Sequence, residues 1–210
     1  MSLVSLMVGM LMLMGSAGAL MVSYRSVVQN GVAASANAKR STEVASGLLA
    51  AMFELRQAGF GQGASNAKPG GAVNVNLVLL NGAAMSGASL AGAAQAVGTT
   101  VVSGNALVWD TGINGSVQCS ALVGTAAGAL LRLGPVPCAQ ASAWGSLNWG
   151  SPTQIITIGA GAVSMQVQKT SCWPYGLAPA ASASIPSLVQ VTVVGTGTGA
   201  ASACLASLPN

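Results

Sequence analysis

The sequence predicts an α+β protein, with a long N-terminal helix over residues 1–58 and an antiparallel β-sheet head over 59–210. Two observations carry this expectation. Apolar residues recur at helical spacing up to Leu55. Beyond Gly59 the helical period gives way to short alternating segments separated by glycine, serine and proline.

The helix divides into two halves. From Met1 to Tyr24 the run MSLVSLMVGMLMLMGSAGALMVSY carries no charge. At 1.5 Å per residue it would extend roughly 36 Å, against a bilayer core of about 30 Å. Residues 1–24 are therefore expected to form a transmembrane or assembly-core segment. Gly15 and Gly18 sit within it, and this patch of poor helix formers is an expected site of local unwinding. Residues 25–58 read as the amphipathic half. Val28, Val32, Ala36, Val44, Leu48, Ala51, Met52 and Leu55 follow one face, while Arg25, Lys39, Arg40, Glu43 and Arg56 fall largely outside it. Lys39 and Glu43 are spaced for an i,i+4 pair. Gly59, with Gly61 and Gly63 behind it, is the expected stop.

In the head, Val73, Val75, Leu77 and Leu79 alternate with Asn74 and Asn76, as in a half-buried strand. Residues 99–109 read as two strands around Ser103-Gly104-Asn105. Further strands are expected at 128–133, 154–158, 162–168 and 187–194, with Gly159-Ala160-Gly161 closing a hairpin. The stretch 81–98 is open between an Ala-rich helix and a surface loop.

Composition narrows the function classes. Charged residues make up 5% of the 210 residues, against about 25% in an ordinary soluble domain. Seven basic and three acidic residues give a net charge of +4. They are too sparse for a nucleic-acid interface, which clusters Lys and Arg. Histidine is absent, and the acids are Glu43, Glu54 and Asp110. Triads, Cys-His pairs, paired carboxylates and His-based metal sites lack their parts. No catalytic residue, cofactor or metal site is predicted.

Four cysteines, Cys119, Cys138, Cys172 and Cys204, occur without a C-x-x-C pair. An even, widely spaced set favours two disulfides and an oxidising compartment. Three connectivities exist. Nearest neighbours close the smaller loops, which favours Cys119–Cys138 and Cys172–Cys204.

The opening MSLVSLMVGM, Tyr24, the helix running past it, and LRQAGFG at 55–61 together resemble the type IV pilins and pseudopilins. The run Leu55-Arg56-Gln57-Ala58-Gly59-Phe60 is most similar to PilW-type minor pilins. The resemblance is specific over residues 1–60 and architectural beyond. It implies a structural subunit of a type IV pilus-like extracellular filament, polymerising through the apolar helix as a homo-oligomer or with other pilins. It also implies anchorage in the bacterial inner membrane before assembly. Met1 would be the first mature residue, its amine methylated after a prepilin peptidase removes a leader. The Gly15–Gly18 patch matches the place where pilin helices unwind in assembled filaments. The family's glutamate at the fifth mature position neutralises a neighbour's terminal amine. Here Ser5 replaces it, which favours a minor or tip subunit acting as adaptor or adhesin.

Two plainer readings stand beside this one. Ala17-Gly18-Ala19 resembles a signal-peptide cleavage site, although no basic residue precedes the apolar run. A single-pass anchor or a cleaved signal would leave a secreted or membrane-anchored periplasmic β-domain.

Overall fold

The computed structural model describes residues 3–61, 76–113, 115–157, 162–173, 187–195 and 199–209. The fold is α+β. Helix α1 (Leu3–Leu55) precedes ten strands: β1 (Leu77–Ser86), β2 (Ser89–Gln95), β3 (Val102–Gly104), β4 (Ala106–Ile113), β5 (Ser116–Gly124), β6 (Leu130–Pro137), β7 (Thr153–Ile156), β8 (Val163–Ser171), β9 (Ser187–Gly195) and β10 (Gly199–Pro209). A short 3-10 helix, Ala141–Ser146, lies between β6 and β7.

The chain forms two compact units, Met1–Thr42 and Glu43–Asn210. Composition drew the boundary at 58, but the last three turns of α1 belong to the head. Val44, Leu48, Ala51, Met52 and Leu55 recur at spacings of three and four, and all are buried in the head core. The described residues of the first unit are all helical. Its side chains, where described, are exposed.

Within the head, β2-β1-β4-β5-β6-β7 form a six-stranded sheet and β10-β9-β8-β3 a four-stranded one. Every pairing is antiparallel. Alternation directs the two faces of the larger sheet to separate cores. Leu77, Leu79, Leu107, Trp109 and Leu122 meet the end of α1 and the valines of β8 and β9. Val78, Leu80, Val108, Ala121 and Val123 meet Ala141 and Trp149 from the segment between β6 and β7. A strand buried on both faces loses the polar half of its alternation.

Several expectations are corrected here. Of residues 81–98, 81–86 complete β1, Gly87 lies in a turn and 89–95 form β2, so only the end, 96–98, is loop. Alanine is a poor strand former, but burial of Leu90 and Ala83 in the second core overrides that preference. Strands β7 and β8 do not form a hairpin: β7 pairs with β6, and β8 with β3 and β9. The proposed turn at 159–161 lies outside the described residues, as do Val73 and Val75. Strands β5 and β10 were not anticipated.

The turn after α1 explains its glycines. Strand β1 pairs with β4 only as far as Trp109. Beyond it, the Gly59 N–H donates to the Asp110 carbonyl (2.8 Å) and the Gly112 N–H to the Phe60 carbonyl (2.6 Å). The turn thus completes the ladder that β1 leaves open. Gly59 and Gly61 both have φ of 74°, the left-handed region where a side chain is strained. A Cβ at Gly61 would also collide with the Gly112 carbonyl.

Candidate functional site

The candidate site is an apolar surface rather than a pocket. Along the first unit, Met10, Met12, Met14, Leu20, Met21, Val22 and Tyr24 are all exposed, Met12 and Met14 at 73%. The first charge along the chain is Arg25, and residues 1–42 hold three basic residues and no acid. Scattered exposed hydrophobics are ordinary, but a continuous run of them marks an interaction surface.

Among the described residues, no helix is long and apolar enough to cross a membrane. The expected transmembrane segment over 1–24 is therefore not found. Within that segment the side chains of Leu3, Val4, Leu6, Leu11 and Leu13, among others, lie outside the described residues.

The other predicted positions fall as follows. Met1 lies outside the described residues. Ser5 and Gly15 lie within α1, with their side-chain surroundings outside the described residues. The helix runs through Gly15 and Gly18 as one element, and a Cβ at Gly18 would meet open space. Cys119 is bonded to Cys138 and Cys172 to Cys204. The Glu43 carboxylate accepts the Thr157 N–H at 2.9 Å, so it ties α1 to the end of β7. Glu54 pairs with Arg132 at 2.7 Å, across to β6. Both acids on the helix thus fasten it to the six-stranded sheet. The tryptophans divide likewise. Trp109 and Trp149 are core residues, and Trp144 packs on the second core. Trp173 lines a shallow cleft with Arg56, Gln190 and Ser202 beside the second disulfide.

Asp110 is the one acid inside the protein, 1% exposed. Its Oδ2 accepts the Ala141 N–H at 2.9 Å, and Oδ1 has no hydrogen-bond partner. Burial pushes the carboxyl up to about 6, and the Ala141 N–H partly opposes this by favouring the charged form. A raised carboxyl often marks a general acid. Here the carboxyl is buried, 1% exposed, and its hydrogen-bond partner is a backbone N–H. Its work is structural: with the Cys119–Cys138 bond it pins the start of the 3-10 segment to β4 and β5. Among the described residues, no group of three or more metal-binding side chains comes together.

Sequence reasoning overlooked Asn105, reading it as a turn residue. Its backbone and side chain join β1, β4 and β5. A lone Asn immediately after a strand glycine was the available signal, because Asn readily bonds nearby backbone. No family model, curated protein or solved structure matches the chain.

Proposed function

We propose that this protein is a non-enzymatic structural subunit of an extracellular filament of the type IV pilus kind, assembled through the apolar helix of residues 3–42. The observation that carries this reading is the exposure of Met7, Met10, Met12, Met14, Leu20, Met21 and Tyr24 on a unit with no acidic residue. Such a surface gains about 25 cal/mol for each Å² removed from water. Association opposes this with roughly 4–15 kcal/mol of lost freedom. A buried area on the order of 1,000 Å² therefore leaves a favourable balance. Two disulfides support an extracellular destination, because such bonds persist in oxidising compartments. The scarcity of charge supports close packing of many copies, since like charges do not oppose it.

Electron microscopy of the purified chain tests the reading. Filaments are expected from the native protein. Met12→Glu with Leu20→Glu should abolish them while the circular dichroism of the head stays unchanged. Persistence of filaments in that variant would reject the helix as the assembly surface.

A terminal position in the filament is the second reading, favoured by Ser5. A hydroxyl cannot neutralise a buried ammonium as a carboxylate can. One copy at a filament end, rather than many along its length, would select it.

A further inference from the structure

We propose that strand β2 is a docking edge through which two copies of the head join by antiparallel strand pairing. Strand β2 is the outermost strand of the six-stranded sheet. Among the described residues its only strand partner is β1. Ser89, Ala91, Ala93 and Ala94 are exposed. A strand in this position presents a row of open N–H and C=O groups, and proteins usually guard it with lysine, proline, a bulge or a covering element. The sequence Ser89-Leu90-Ala91-Gly92-Ala93-Ala94-Gln95 holds neither charge nor proline. The irregularity of this hairpin puts its one extra residue on β1, between Asn81 and Ala84, so β2 itself runs without an insertion.

The other sheet edges differ. Strand β3 has three residues and β7 four. The end of β10 is approached by the turn after α1, where a Cβ on Gly59 would meet Leu208 and the Ser207 carbonyl. Strand β2 has seven residues and meets the 3-10 segment through Leu90 in the second core, and among the described residues no strand lies on its outer side.

The strand is also suited to a copy of itself. A twofold axis at Gly92 sets Ala91 opposite the partner's Ala93, and Leu90 opposite the partner's Ala94. Ser89 then faces the partner's Gln95, a hydroxyl opposite a carboxamide, which is a favourable cross-strand pair. No like charges meet. The small side chains at 91, 92 and 93 let the two backbones approach. The Gln95 Nε2 now donates to the Ala93 carbonyl at 3.1 Å, a local bond that strand pairing can replace. The arrangement is isologous and closes as a dimer, so it is distinct from polymerisation along the helix.

Residue-specific cross-linking of the full chain tests this. All four native cysteines are bonded, so an added thiol is distinguishable. Chains carrying Ala91→Cys are mixed with chains carrying Ala93→Cys under mild oxidation. The mixture should yield a disulfide-linked dimer at least fivefold above either variant alone. Ala91→Lys with Ala93→Lys, placed in a Ser89→Cys and Gln95→Cys pair, should cut the cross-link tenfold without changing the melting curve. Equal cross-linking in the mixture and the single variants, or no effect of the lysines, overturns the proposal. Cross-linked heads without filaments would keep this inference and reject the filament reading. Filaments without the cross-link would do the reverse.

Discussion

The side chain of Asn105 and the backbone of Ala83 exchange two hydrogen bonds, as two residues facing each other in a sheet would. The Ala83 N–H donates to Oδ1 at 2.7 Å, and Nδ2 donates to the Ala83 carbonyl at 2.8 Å. A third bond runs from Nδ2 to the Gly124 carbonyl at 3.0 Å. The amide fills the gap where β1 bulges between Asn81 and Ala84. There the backbone lacks ladder partners and would otherwise be buried unpaired.

Replacing Asn105 with Ala removes all three bonds and leaves partners unsatisfied. Each loss costs about 1 kcal/mol or more, so destabilisation of about 3 kcal/mol is expected in urea unfolding. Asn105→Asp should be equally damaging, because a carboxylate offers no N–H to the Ala83 and Gly124 carbonyls. A loss under 1 kcal/mol in both would show that the bulge holds without the amide.

Asp110 sets a pH dependence of uncommon sign. Its folded pKa, about 6, lies above the ordinary 3.8. The folded state therefore holds the proton more tightly than the unfolded chain. The resulting cost is fully present above pH 6 and disappears as pH falls toward 4. That difference of about 2 units corresponds to roughly 3 kcal/mol. Urea midpoints between pH 4 and 7 should show this contribution in the native protein. Asp110→Asn should lack it; identical slopes for the two proteins would contradict the assignment.

The two disulfides should contribute unequally. They span separations of 19 and 32 residues. Loop-closure entropy gives about 3.3 kcal/mol for the first and about 3.7 kcal/mol for the second, a difference of a few tenths. Paired Cys→Ser variants, compared by thermal and urea unfolding, measure both. Loss of Cys119–Cys138 should also release the 3-10 segment, seen as faster amide exchange at Ala141 and Ala143.

One substitution should have different effects at two positions of the same helix. Around Gly31 a Cβ meets open space, and Ala there gains about 1 kcal/mol of helix propensity. At Gly47 a Cβ would press on Ile156 and lie 3.1 Å from the Ile155 carbonyl. Overpacking of about 1–3 kcal/mol offsets the same propensity gain. Gly31→Ala should therefore raise helicity without harming the head. Gly47→Ala should be neutral to destabilising, and Gly47→Leu strongly destabilising. A stabilised head in Gly47→Leu would show that α1 does not pack closely there.

The helix and the antiparallel head were legible because their patterns are local. The Val44–Leu55 stripe shows period 3.6, and Val163, Met165 and Val167 show period 2, regardless of what covers them. Strand β5 was harder to see. Its residues from Cys119 to Gly124 are buried on both faces, which erases alternation. Strand β2 was lost to its alanines, which are poor strand formers; it is Leu90 that reaches the core, against the distant segment at Ala141 and Trp149. The candidate surface was readable as an apolar run. Asp110 was not: only the fold brings Ala141 to its carboxyl, 31 residues away.

The burial of residues 44–55 in the head also bears on how the protein can be divided for experiment. A soluble fragment begun at residue 59, where the composition changes, would lose six core side chains, from Val44 to Ala58, and both acid anchors, Glu43 and Glu54. Its exposed cleft would invite aggregation, which could be mistaken for polymerisation. A fragment begun at Glu43 keeps the core whole while removing Met7–Val32.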